Sequence, residues 1–350
     1  MLRSFSYRTP LILTISFALS SALAAQERAD SAYRMLFYNT ENLFDTENDT
    51  LTDDDDFLPG GVMKWNYIRY RSKINSIYKV LAASGNWEPP VIAGLCEIEN
   101  RKVLEGLIYN TYLSHYNYGI VHGESNDPRG IDVGIIYRQD IFDLICTRQL
   151  IPAGYNHTEF RTRNVLYAKF LINSDTIHLF LNHWPSRRGG VLAGEADRSN
   201  ISEMIREKAD SINKSVYGKG KIIVAGDFNC TPDDTEIGLL MNKNDKADDF
   251  LILINLAEKS SQKGSGTYKY MGTWEMLDQV IVSENLLKTD SGIYTGYDLF
   301  RIFSPDFLLA RDPAYPGSKP FSTYSGYRYQ GGFSDHLPVI LDLKLRSWSR

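Results

Sequence analysis

Short apolar runs separated by turns and by three stretches of helical character set the rhythm of this chain. Tyr33 to Tyr38 reads as a strand, and Val91 to Cys96 is a continuous apolar run of the kind a strand covered on both faces carries. Asp132 to Arg138, Phe142 to Ile151, Val165 to Ile172 and Thr176 to Leu181 read as further strands, followed by Ile222 to Ala225, Leu277 to Ser283, Leu299 to Phe303 and Val339 to Leu345. Asn66 to Ala83 has helical period, with Tyr67, Tyr70, Ile74, Ile77, Tyr78 and Leu81 on one stripe. Asn100 to Leu113 and the mixed-charge stretch Ala196 to Val216 are also expected to be helical. Strands outnumber helices and the helices fall between them, which predicts sheets covered by helices. No Pro/Ser/Gly-rich linker or internal repeat divides the chain, so one domain is expected over residues 35–345, with a linker at 25–34 and a tail at 346–350.

Several of the apolar runs lead into the same kind of residue. Tyr38 is followed by Asn39 and Glu41, Cys96 by Glu97, and Leu181 by Asn182 and His183. Gly226 precedes Asp227 and Asn229, Leu277 precedes Asp278, and Ser334 precedes Asp335 and His336. A buried strand gains nothing by finishing in charged or amide groups unless they bind a partner or one another. Any one Asp or Asn after a strand is ordinary turn chemistry, and either histidine could be structural; the repetition is what argues for a shared pocket. Carboxylates and amides are hard oxygen donors suited to Mg²⁺, and also to Mn²⁺ or Ca²⁺, while histidines beside carboxylates supply acid–base groups. The chain has no G-x-S-x-G elbow and no P-loop. Attack by water on a metal-bound phosphate ester is the simplest reaction left.

In order along the chain, Asn39-Thr40-Glu41, Glu97, Gly226-Asp227-Phe228-Asn229, Leu277-Asp278 and Ser334-Asp335-His336 resemble the endonuclease/exonuclease/phosphatase superfamily. The resemblance spans about residues 35–345. It implies an α/β (α+β) fold in four layers, an α-β-β-α sandwich of two mixed sheets face to face with helices outside. It implies Glu97 as principal metal ligand, with Asn39 and Glu41 near the same ion and Asp335 at a metal or a second water. Asp227 would orient or deprotonate the attacking water, Asn229 would bond the phosphate or the water, and Asp278 would orient His336. His183, in Asn182-His183-Trp184-Pro185-Ser186-Arg187, resembles the histidine motif of DNase-like members and would assist the leaving group. Arg129, Arg163, Arg187 and Arg188 are candidate phosphate contacts, since guanidinium forks match phosphate oxygens.

Composition narrows the setting. Arg3 and Arg8, the apolar stretch Leu11 to Leu19, and Ala22-Leu23-Ala24 form a signal-peptide pattern over residues 1–24. Its removal takes away two cations and no acid, moving the net charge from −5 to −7. So acidic a chain does not coat polyanions, and binding one calls for local positive charge such as a divalent ion. A secreted or periplasmic enzyme is expected, monomeric, without stable membrane association. The leading substrate is nucleic acid, DNA or RNA; inositol phosphates or phospholipid head groups are the alternative, and a non-catalytic binding module is the third reading. The acidic run Asp53 to Asp56 lacks the spaced ligands of a calcium loop and reads as solvated. Cys96, Cys146 and Cys230 cannot all pair within one chain; the first and last read as small buried hydrophobes, and Cys146 as a possible exposed thiol. The tyrosines between Tyr315 and Tyr329 suit either packing or base stacking.

Overall fold

The computed structural model describes residues 33–152, 161–187, 194–241, 251–289 and 292–346. The first sheet has the order β13-β19-β1-β2-β4-β3, built from β1 (Tyr33–Leu43), β2 (Ile92–Ile98), β3 (Tyr118–His122), β4 (Asp132–Arg138), β13 (Gly292–Tyr294) and β19 (Val339–Arg346), with β14 (Phe300–Ile302) also on β19. The second has the order β5-β6-β7-β8-β12-β9, from β5 (Asp143–Leu150), β6 (Val165–Ile172), β7 (Asp175–His183), β8 (Lys221–Asp227), β9 (Leu253–Asn255) and β12 (Asp278–Ser283). Each sheet is mixed: β1 runs parallel to β2 and β7 parallel to β8, and the other pairings are antiparallel.

Three apolar clusters define four layers. One, including Met35, Phe37, Leu179, Leu181, Ile223, Ala225 and Val280, lies between the sheets. A second joins the outer face of the first sheet to α1 (Tyr67–Ser84) and α2 (Arg101–Tyr109), through Leu36, Tyr38, Ile74, Ile77 and Leu104. The third joins the outer face of the second sheet to α3 (Glu195–Ser215) and α4 (Thr235–Met241), through Phe180, Ile201, Ile205 and Ile237. This is the four-layer α-β-β-α sandwich expected. Asn66 caps α1, its side chain accepting from the amides of Ile68 and Arg69, and Asn100 caps α2 through Val103. At Gly94 the missing side chain makes room between the sheets: a Cβ there would lie 2.4 Å from a methyl of Leu181.

Some local expectations are corrected. Tyr67, placed on the apolar stripe, is exposed, because it is the first residue of α1 and lies beyond the edge of the sheet. The helix expected to reach Leu113 ends at Tyr109, and Tyr112–His115 is a 3₁₀ turn capped by Thr111. Asp278 begins a strand instead of following one, and Ser334 to His336 is a loop before β19 with a single bridge from His336 to Tyr268. Small hairpins, β10 (Tyr268–Tyr270) with β11 (Thr273–Glu275), β15 (Leu309–Arg311) with β16 (Ser318–Pro320), and β17 (Tyr324–Ser325) with β18 (Arg328–Tyr329), decorate the rim. Cys96 and Cys230 are buried and free as expected, and Cys146 is half-buried and free. Among the described residues no helix is long and apolar enough to cross a membrane.

Candidate active site

The alternation of a β-strand places every second residue on one face, and four rows of the inter-sheet core share a polar terminus. On β1 the row Met35, Phe37 ends in Asn39; on β7 Leu179, Leu181 ends in His183; on β8 Ile223, Ala225 ends in Asp227; and on β12 Val282, Val280 ends in Asp278. The pairing aligns them: His183 lies opposite Asp227, and Asp227 opposite Asp278. The two sheets then touch through polar groups at this rim. Asn39 Nδ2 donates to Asp227 Oδ2 at 3.0 Å, and His336 Nδ1 donates to Asp278 Oδ2 at 2.7 Å. His336 Nε2 is 3.8 Å from Asp227, and His183 Nε2 is 3.7 Å from Asp227 and 3.8 Å from Glu97.

Glu97 reaches the pocket through a bulge. Asn39 pairs with Cys96 and Leu43 with Ile98, so Thr40, Glu41 and Asn42 lie against Glu97 alone, and on the other side Glu97 has no partner in β4. Extra residues bend a strand and re-aim a side chain. Glu41, Asn42 and Glu97 have φ of 50°, 58° and 56°, and Asn229 has 49°. Non-glycine residues in this left-handed region carry local strain that persists where surrounding contacts enforce it. Those contacts are visible: the Asn42 amide donates to Glu97 Oε2 at 3.0 Å, and the Asn229 amide donates to Asp227 Oδ1 at 2.9 Å.

Burial separates the protonation states. Burial raises the Asp227 carboxyl to about 6, with His336 opposing and Asp278 adding to the rise. Burial drives His183 well below its ordinary value, reinforced by the charges of Arg163 and Arg129, so His183 is neutral. Burial opposes charge on His336 too, but the carboxylates of Asp278 and Asp227 outweigh it and hold that imidazole protonated well above its ordinary range. The site thus sets a cationic imidazole, a neutral imidazole and a carboxylate titrating near neutrality around one space. That combination can stabilise developing negative charge, receive a proton and deliver one.

A divalent cation fits this donor set. Burial raises the Asp335 carboxyl, with His336 opposing and the charge of Glu97 adding to the rise. Asp278 Oδ1 and His183 Nδ1 are buried without a hydrogen-bond partner, and Asp227, Asp278 and His336 place ligand atoms within 4.8 Å of one another. Glu97 and Asp335 are the residues that would hold a hard cation, which would polarise a phosphoryl oxygen. Glu41, expected near the same ion, accepts from the amides of Thr323 at 2.5 Å and Tyr324 at 3.1 Å, and so also fixes that loop. Its carboxyl rises to about 7, through burial and then Asp335. Asn39 likewise uses both ends of its amide inside the protein, on Asp227 and on the Glu41 amide.

The arginines divide. Arg163, expected at phosphate, is buried and spent: it pairs with Asp127 at 2.8 Å and donates to the carbonyls of His183 at 3.2 Å and Trp184 at 2.6 Å. It thereby braces the backbone at His183 and Trp184. Arg187 bonds the Asn229 carbonyl at 2.7 Å and pairs with Asp234, bracing the loop after β8. Arg129 is partly exposed, 3.6 Å from Asp127. Arg188 lies outside the described residues. Asn229 Nδ2 donates to the Trp184 carbonyl at 3.0 Å, which aligns the two catalytic loops.

One residue went unnoticed in the sequence. Lys73 on α1 is buried, donating to Phe333 O at 2.7 Å and to Thr323 Oγ1, with its charge acting on Glu41, Asp335 and Glu97. The available signal was its spacing, three residues after Tyr70 and four before Ile77, on the apolar stripe where a lysine needs a partner.

Fold and site together define a hydrolase of phosphoric ester bonds. A sequence model of the Endonuclease/Exonuclease/phosphatase family matches residues 34–345, and the chain belongs to that family. No curated protein has a matching sequence. Solved structures share the fold at low identity. A humanized D. rerio TDP2 has 14% identity and TM-score 0.55, covering 89% of this chain and 99% of its own. An endonuclease/exonuclease/phosphatase from Bacteroides vulgatus has 13% identity and TM-score 0.54, over 91% and 100%. A mannosyl-6-phosphatase from Bacteroides thetaiotaomicron has 13% identity and TM-score 0.54, over 89% and 98%.

Proposed function

We propose that the protein is a Mg²⁺-dependent phosphodiesterase acting on DNA or RNA. The observation that carries this reading is the Asp278–His336 pair, a buried cationic imidazole held at 2.7 Å by a carboxylate and set 3.8 Å from Asp227. A phosphodiester passes through a transition state with extra negative charge on its oxygens, and a fixed imidazolium with a divalent ion stabilises that charge. Asp227 receives the proton of the attacking water. His183, neutral and fixed by Arg163, assists at the leaving oxygen. The rim favours a nucleic acid over a small ester. Tyr268 lies against His336, ring centroids 4.9 Å apart, and the tip of its hairpin packs on Tyr315 at Gly272. Tyr270 and Tyr315 are exposed there, and bases stack on such rings.

Residues 1–24, as an export signal, place the mature enzyme in the periplasm or outside the cell, as a monomer without stable membrane association. The intact set of catalytic groups weighs against a mere binding module. Mature protein is expected to nick supercoiled plasmid with Mg²⁺ and to lose that activity with EDTA or in His336→Ala. Intact plasmid with folded, metal-loaded protein, alongside phosphate release from sugar or inositol phosphates, would replace this reading with a phosphatase.

A further inference from the structure

At the same end of the first sheet as the catalytic rim, but on its outer face, a second group of ligands has gathered. Asp132 opens β4 directly opposite Ile98, whose side chain belongs to the outer core, so Asp132 faces away from the inter-sheet row that ends in Asn39. His122 closes β3 beside it. His122 Nε2 is 3.2 Å from Asp132 Oδ2, and its Nδ1 is 3.8 Å from Glu124 Oε1. The three residues offer ligand atoms within 4.8 Å of one another. His122 and Asp132 are almost fully buried at their side chains, while Glu124 is 67% exposed, leaving the group open to an ion from solvent.

Charge balance argues for a cation. The ligand oxygens of Glu124 and Asp132 lie within 4.8 Å of one another. One imidazolium offsets at most one of two carboxylates. An independent observation comes from Asn164, which is 6% exposed. Its Nδ2 donates to the Glu124 carbonyl at 3.3 Å, and its Oδ1 is buried with no partner. An amide oxygen left unbonded in a residue that already contacts the Glu124 backbone is a vacant donor, and buried polar atoms without partners are costly.

We propose that His122, Glu124 and Asp132, with Asn164 Oδ1, form a second divalent-cation site that anchors the segment between β3 and β4. One nitrogen and several oxygens suit a first-row ion such as Mn²⁺ or Zn²⁺. The segment it anchors carries Asp127, which holds Arg163, which in turn holds the carbonyls of His183 and Trp184. The ion therefore steadies the catalytic histidine from behind without touching the substrate.

The test is a count of bound metal. Mature protein carrying Glu97→Gln, which weakens the catalytic site, is equilibrated with Mn²⁺ or Zn²⁺, desalted and measured by plasma mass spectrometry. About one ion per chain is expected to remain, and adding Glu124→Gln or His122→Ala is expected to remove it. Circular dichroism shows whether each variant is folded, and Glu124, being exposed, is the substitution least able to disturb folding. No bound ion in Glu97→Gln, or an ion that persists in the folded double variant, overturns the proposal.

Discussion

Replacing Asp278 with Asn tests the electrostatic core of the site. The substitution keeps the shape and a hydrogen-bond acceptor but removes a negative charge 2.7 Å from His336 Nδ1. Unscreened by anything beyond a protein-like dielectric, that charge would be worth about 6 kcal/mol, an upper bound. A charge-assisted hydrogen bond contributes about 1.5–3 kcal/mol net, which converts to a fall of about one to two pH units in the His336 midpoint. Asp227, 3.8 Å from Nε2, retains the remainder. Because His336 is raised in the folded protein, its pairing stabilises the fold fully below the unfolded midpoint of about 6.5 and is lost as pH rises through the folded midpoint. The variant is therefore expected to lose about 1.5–3 kcal/mol at pH 6 and less in alkali. The assay pairs an NMR titration of the histidine Cε1 proton in metal-free protein with kcat against pH; the alkaline limb should move down with the midpoint. A midpoint that stays in place would refute the reasoning and pass the role to Asp227, whose own Asn variant would then move it.

Other outcomes follow from the same geometry. Arg163→Met should cost up to about 3–5 kcal/mol in urea unfolding, since it leaves buried Asp127 only the looser pairing with Arg129 at 3.6 Å, and should lower kcat through His183. Gly226→Ala should cut activity sharply even where the protein folds, because its Cβ would lie 2.4 Å from the Asn182 carbonyl and force β7 from β8 at the Asp227 rim. Metal-free protein should lose thermal stability from pH 6 to pH 8: Glu41, raised to about 7, and Asp227, raised to about 6, bind protons in the folded state that the unfolded chain has released. Below about pH 6.5 His183, which folds neutral and must shed a proton that the unfolded chain keeps, should offset part of that loss. Differential scanning calorimetry across that range, with and without Mg²⁺, checks the slope.

Most of the scaffold was legible because each strand repeats an apolar alternation that burial on two faces demands. Asp132–Arg138 and Val165–Ile172 emerged at the residues expected. The site was legible where a polar group ends such a row, as with His183 and Asp227. What escaped depends on contacts between distant segments. Arg163 looked like a free cation because Asp127, 36 residues away, is adjacent only after folding. Nothing local reveals that Glu41 also holds the amides of Thr323 and Tyr324, 282 and 283 residues on. That the start of the Asp278 strand reaches the catalytic rim was hidden because an apolar run shows no direction relative to its neighbours, and antiparallel pairing with β8 brings that start there.

The polar links at the rim each join one sheet to the other: Asn39 to Asp227, His336 to Asp278, and Glu97 to His183. The interior of the seam is an apolar cluster, as at Gly94 and Leu181, and its opposite end is closed by Asp175 and Lys221 against the Ile293 backbone. Catalysis therefore works as a gauge of sheet alignment. A slide of about half an ångström, too small to unfold the protein, already exceeds the tolerance of a productive catalytic geometry. Substitutions deep in the seam, far from any phosphate, are then expected to register in turnover before they register in melting, and selection on activity would police the packing of the whole interior.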